Sequence, residues 1–121
     1  MDQQMFKDRT KQLALRVIKM TDSMPDSKVD NVVSRQIIRS ATSVGANYRA
    51  ACRAKSTTDF INKLKIVEEE ADETFYWLEI IVEAELLSES RLSSLMQETD
   101  EIVAMTVSSI KTQRANQSRK S

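Results

Sequence analysis

The chain contains a single glycine, Gly45, and a single proline, Pro25, in 121 residues. Average sequences carry roughly 7% glycine and 5% proline. Tight turns depend on both, glycine for positive φ and proline for a preset φ, so a sheet of many hairpins would have little to turn with. The abundant residues are Ala, Leu, Glu, Lys, Arg, Gln and Met, which lose little rotamer freedom in a helix. The fold class is therefore all-α, and the length suits one domain with room for a core.

Apolar periodicity divides the chain into four helices. The first covers about residues 3–23, with Phe6, Thr10, Leu13, Val17, Met20 and Met24 on one stripe, and Pro25 ends it because the residue before a proline is pushed out of the helical region. The second covers about 27–54, with Asp26 or Ser27 as N-cap. Val33, Ile37, Ala41, Val44, Tyr48 and Ala51 form its apolar face, widened by Ile38, Gly45 and Cys52. Gly45 costs a mid-helix position about 1 kcal/mol against alanine, which implies that a neighbouring helix passes very close.

Ser56-Thr57-Thr58-Asp59 reads as a capping box opening the third helix, which runs to about residue 87. Its expected core stripe is Phe60, Leu64, Val67, Ala71, Phe75, Leu78 and Val82. The fourth runs from about Ser90 to Gln113, with Leu92, Leu95, Met96, Thr99, Ile102, Val103, Thr106 and Ile110 inward. Connections of a few residues make sequential helices antiparallel neighbours, so the expected architecture is an up-down-up-down four-helix bundle over residues 1–113. The polar tail 114–121 is expected to fray.

Helix three carries more apolar surface than one stripe needs. Ile66, Trp77, Ile80, Ile81 and Ala84 project well away from the Phe60–Val82 stripe. Left exposed, they would form a contiguous patch of a kind that soluble monomers rarely show, which points to a homo-oligomer with these residues and Glu73 at its interface. The bland alternative is that bundle curvature and the N-terminal segment cover them.

Charge is segregated although it sums to zero, with 18 basic and 18 acidic residues. Lys28, Arg35, Arg39, Arg49 and Arg53 share a narrow arc of helix two, while helix three is rich in Asp and Glu. One reading makes the arc a track for an RNA backbone, supplemented by Lys111, Arg114, Arg119 and Lys120 in the last helix and tail. The other pairs basic helix two with acidic helix three, within or between subunits, and overall neutrality favours it. Arg39 and Glu73, with Asn47 nearby, are the expected buried polar pair.

Chemistry is scarce. The chain has no histidine, so neither a nucleophile–histidine pair nor the Glu-x-x-His sets of di-iron bundles can be assembled. Glu70 and Glu73 therefore read as ion-paired or solvated acids, Cys52 as a core thiol, and the lone Gly45 rules out a glycine-rich phosphate loop. The expectation is a protein that is not an enzyme and takes no cofactor or metal. A polar N-terminus, a single cysteine and no apolar run near 20 residues place it in the cytoplasm, away from membranes.

Three ordered motifs then carry a resemblance. Residues 34–47 read SRQIIRSATSVGAN, residues 56–64 STTDFINKL, and residues 70–79 EADETFYWLE. Together they resemble the 23S ribosomal RNA intervening-sequence proteins of bacteria, over about residues 5–112. The resemblance implies a compact four-helix bundle assembling as a homo-oligomer, commonly a pentameric ring. It also implies RNA or a nucleic-acid-processing protein as a candidate partner, through related bundles that bind nucleic acid and a reverse transcriptase. It carries no catalytic residue. The matching positions are Arg39, Ser43, Gly45, Asn47, Ser56, Asp59, Phe60, Glu73, Thr74, Trp77 and Glu79. Tyr48 and Arg49 depart from the pattern, which usually has a small aliphatic and, one place further on, an acid.

Overall fold

The computed structural model describes residues 2–120, without the side chain of residue 120. Four helices follow in order: α1 (Gln3–Asp22), α2 (Lys28–Cys52), α3 (Thr57–Glu83) and α4 (Glu89–Lys120). α1 packs on α2 and α4, and α3 packs on α2 and α4. With connections this short, that cyclic adjacency is an antiparallel up-down-up-down bundle. Among the described residues there is no strand, and no helix is long and apolar enough to cross a membrane.

Side-chain caps set the boundaries. The carboxylate of Asp2 accepts from the Met5 N–H, the Ser27 hydroxyl from Asp30 N–H, and the Ser56 hydroxyl from Asp59 N–H, each satisfying an orphan donor of a first turn. α3 stops at Glu83, earlier than its apolar pattern suggests. Glu85 takes the left-handed conformation at φ 61°, and the N–H of Leu86 turns back to the carbonyl of Ile81. α4 runs through to Lys120 where the polar tail was expected to fray. Gln117 donates to the Thr58 hydroxyl at 2.8 Å, which ties this extension to the start of α3.

The core follows the stripes of α1, α2 and α4 closely. Phe6, Leu13 and Val17 meet Val33, Ile37, Ala41, Val44 and Tyr48, with Leu92, Ile102 and Ile110 closing from α4. Phe6 and Tyr48 form an edge-to-face pair with ring centroids 4.6 Å apart. Burial pushes the Tyr48 phenol pKa up, and a hydrogen bond with Cys52 adds to the effect. The neighbour implied by Gly45 is α1: a Cβ at this position would stand 3.3 Å from Thr10 Oγ1.

On α3 the buried set is Ile61, Leu64, Val67, Ala71, Thr74, Leu78 and Ile81. Phe60, Phe75 and Val82, assigned to the core from the sequence, are half-buried at its edge. The helix is rolled toward α2, where the Thr74 hydroxyl donates to Ser40 Oγ at 2.9 Å across a fully buried contact. Elsewhere in the core, threonine hydroxyls are satisfied within their own helices. Thr10, Thr99 and Thr106 donate to the carbonyls of Phe6, Leu95 and Ile102 four residues back.

Candidate interaction surface

The register of α2 against α3 follows from two polar contacts. Ser40 meets Thr74, and one residue earlier on each helix Arg39 meets Glu73. Stepping seven residues back along α2 and seven forward along α3 keeps both partners on the same face. Val33 then lies level with Ile81, both buried, and Val32 level with Ile80 on the outside. Val29 falls level with Ala84 one turn further along. The outer side of the α2–α3 seam is thus apolar at this end: Val29 and Val32 are 55% and 42% exposed, Trp77 and Ile80 are half-buried, and Ala84 is open. Tyr76, 52% exposed, borders the strip and meets the Trp77 ring edge-on at 5.2 Å.

Midway along the seam the apolar strip gives way to a charged cluster. Arg39 donates to Glu70 at 2.9 Å and to Glu73, whose carboxylate also accepts from Trp77 Nε1 at 3.1 Å. Glu73 is held below the usual carboxylate range chiefly by the Arg39 hydrogen bond, with burial opposing and Trp77 assisting. The Arg39 pKa is raised by the same two acids. The indole is thereby fixed in place by the cluster beside it. Ile66 lies beyond the cluster, level with Ala46 and exposed.

Several expectations change here. Ile81 is no part of an outer surface: it is fully buried beneath Val33's side of the seam, because the roll of α3 turns it inward. Arg39 and Glu73 do pair, but in the open, with side chains 49% and 35% exposed. Asn47 stands two turns away and donates to the Ser43 carbonyl of its own helix, outside the cluster. Ile66, Trp77, Ile80 and Ala84 reach the surface as partly or largely exposed residues, and Glu73 lies among them. Val29 and Val32 were missed. Their signal was a second i, i+3 valine pair, displaced from the Val33–Ile37 stripe, at the helix start.

The basic arc splits. Lys28, Arg35, Arg49 and Arg53 are exposed and, among the described residues, form no ion pair, while Arg39 is committed to α3. Arg49 faces α1, where with Lys7 and Lys11 it lines a groove of about 480 Å³ floored by Ala14, Gly45 and Ala46. Lys111, Arg114 and Arg119 lie exposed on α4, and the Lys120 side chain falls outside the described residues.

The family model of the 23S rRNA-intervening sequence protein matches residues 2–108. The chain belongs to that family. A crystal structure of a protein of unknown function from the S23 ribosomal protein family of Bacteroides thetaiotaomicron VPI-5482 is similar at 38% identity. The match covers 92% of this chain and 99% of that one, with a TM-score of 0.84. No curated protein matches the chain. Family membership joins the three sequence motifs to one place in the bundle, since the first and third supply Arg39 and Glu70–Glu73–Trp77.

Proposed function

We propose that this member of the 23S rRNA-intervening sequence family is a non-enzymatic scaffold that assembles with copies of itself through the outer α2–α3 seam and acts in the cytoplasm. The observation that carries the reading is the strip formed by Val29, Val32, Trp77, Ile80 and Ala84. Removing a large apolar side chain from water contributes about 1.5–3 kcal/mol, so a few such residues suffice for association. The Arg39–Glu70–Glu73 cluster beside the strip gives it polar edges that fix orientation. Five copies is the number the family resemblance implies. The lack of any histidine and of a glycine-rich loop supports the non-enzymatic reading.

Multi-angle light scattering of the purified full chain tests this. A mass several times that of one chain is expected, falling in Val32→Glu/Tyr76→Glu, whose side chains are exposed in the single subunit. A wild-type monomer at micromolar concentration refutes the reading. The competing role, nucleic-acid binding through α2, retains Lys28, Arg35, Arg49 and Arg53 but loses Arg39 to α3. It requires a gel shift with ribosomal RNA fragments that weakens steeply with salt and disappears in Arg49→Glu/Arg53→Glu.

A further inference from the structure

Resting on the self-association just proposed, we infer that the α2–α3 seam of one copy docks on the α1–α2 side of the next, a heterologous contact rather than a two-fold one. Three observations bear on the counter-surface. The first is its charge. The seam and its α3 border carry Glu69, Glu70, Glu73 and Glu83, against which only Arg39 is ion-paired at the centre. A two-fold contact would set these acids against their own copies, a juxtaposition that disfavours binding. The α1–α2 side carries Lys7, Lys11, Arg35 and Arg49, which form no ion pair within the subunit among the described residues.

The second is its shape. Gly45, Ala46 and Ala14 leave the α1–α2 side concave, and the groove of about 480 Å³ has room for a projecting aromatic side chain. Tyr76, half exposed on the rim of the seam and braced by Trp77, is such a projection.

The third is apolar continuity. Seven residues from the Gly45–Thr10 approach, Ile38 comes level with Val17 and Ile18. Ile18 is 38% exposed and Ile38 half-buried, so the basic groove runs into a greasy end as the seam does. Both surfaces thus offer an apolar half and a charged half, with opposite sign.

The two sides share α2 and are adjacent in the cycle of helices. A contact joining one side to the other turns each copy through the corner of the bundle, so successive copies close into a small ring. Every copy then contributes Arg49 and Lys11 to its neighbour's acidic seam.

Two folded variants with exposed substitutions decide the matter. Val32→Glu/Tyr76→Glu spoils the seam and leaves the groove; Ile18→Glu/Arg49→Glu spoils the groove and leaves the seam. Circular dichroism verifies that each is helical. Each alone is expected to be monomeric by light scattering, and an equimolar mixture to form a complex of two chains over a concentration series. If wild type assembles but Ile18→Glu/Arg49→Glu keeps its full mass, or if the mixture stays monomeric at every concentration, the heterologous docking is wrong while self-association stands. If Ile18→Glu/Arg49→Glu keeps its mass and loses an RNA gel shift, the groove belongs to nucleic acid and the docking is likewise overturned. A monomeric wild type instead removes the underlying reading.

Discussion

Replacing Gly45 by alanine sets two effects of similar size against each other. In an isolated helix the change is favourable by about 1 kcal/mol, because glycine loses more backbone entropy on folding. Here the new Cβ would lie 3.3 Å from Thr10 Oγ1 and 3.5 Å from the Thr10 carbonyl carbon, where comfortable contacts begin near 3.5 Å. Thr10 has nowhere to go. It is fully buried, its χ1 is stiff, and its hydroxyl bonds the Phe6 and Lys7 carbonyls at 2.9 and 3.1 Å. Relief requires α1 to withdraw by a few tenths of an ångström, which loosens the Phe6–Tyr48 pair one turn away. Overpacking of this kind costs about 1–3 kcal/mol, so Gly45→Ala is expected to be neutral to about 2 kcal/mol destabilising. Thr10→Ala removes the nearest atom and leaves ordinary contacts. In that background Gly45→Ala should stabilise by about 1 kcal/mol, giving a coupling of about 1–3 kcal/mol in the double-mutant cycle. Urea unfolding followed at 222 nm measures all four proteins, at one fixed chain concentration because assembly shifts apparent stability. An equal gain of about 1 kcal/mol from Gly45→Ala in both backgrounds would refute the close approach of α1.

Ile81→Ala should cost about 2–5 kcal/mol of unfolding free energy, as for a fully buried aliphatic. Ile66→Ala, on the surface, should stay within about 0.5 kcal/mol in the same urea titration; similar losses for both would contradict the roll of α3. Glu85→Gly should raise stability by about 1 kcal/mol, since a left-handed φ of 61° penalises a side chain there and not glycine. An unchanged or lower melting temperature argues against that turn. Glu73 has a folded pKa below its ordinary 4.5. Its contribution is therefore complete above about pH 4.5 and is lost as pH falls through the lower, folded value. Glu73→Gln should flatten the acid side of a melting-temperature profile between roughly pH 3 and 6; an identical acid slope in wild type and variant removes Glu73 from the account.

Most of the fold was legible because three helices present one apolar stripe each. Phe6-Thr10-Leu13-Val17 and Val33-Ile37-Ala41-Val44-Tyr48-Ala51 are buried residue for residue. Helix three was different: apolar side chains surround it, so periodicity alone gave two nearly equivalent rolls. The structure chooses the one that buries Thr74 and Ile81 and brings Phe60, Phe75 and Val82 to the edge. The decisive contact is Ser40 with Thr74, a pair of small hydroxyls that let α2 and α3 approach and satisfy each other. Hydrophobicity patterns score such residues as polar and turn them outward. The same blind spot hid Asp30, which is buried at the start of α2 because the Ser27 cap hydroxyl reaches its carboxylate. The length of α4 was unreadable for another reason. A polar segment can stay helical when one end is tied down, and the Gln117–Thr58 contact links residues far apart in sequence.

The candidate site was half legible for a related physical reason. Sequence pattern finds residues that share a helix face, whereas the α2–α3 seam is made by two helices in register. Trp77, Ile80 and Ala84 were visible as a surplus on one helix. Val29 and Val32 become their partners only when the Arg39–Glu73 contact fixes which turn of α2 stands beside which turn of α3. That contact also bears on the neutral total charge. The 18 bases and 18 acids cancel over the whole chain, yet Arg39 is the one base of its arc ion-paired to α3, leaving cations toward α1 and acids on α3. A monomer gains little from keeping opposite charges on separate sides, since pairing them across its own seams would serve stability as well. Segregation of equal charge, beside apolar strips on both sides of one helix, instead makes the subunit complementary to a copy of itself.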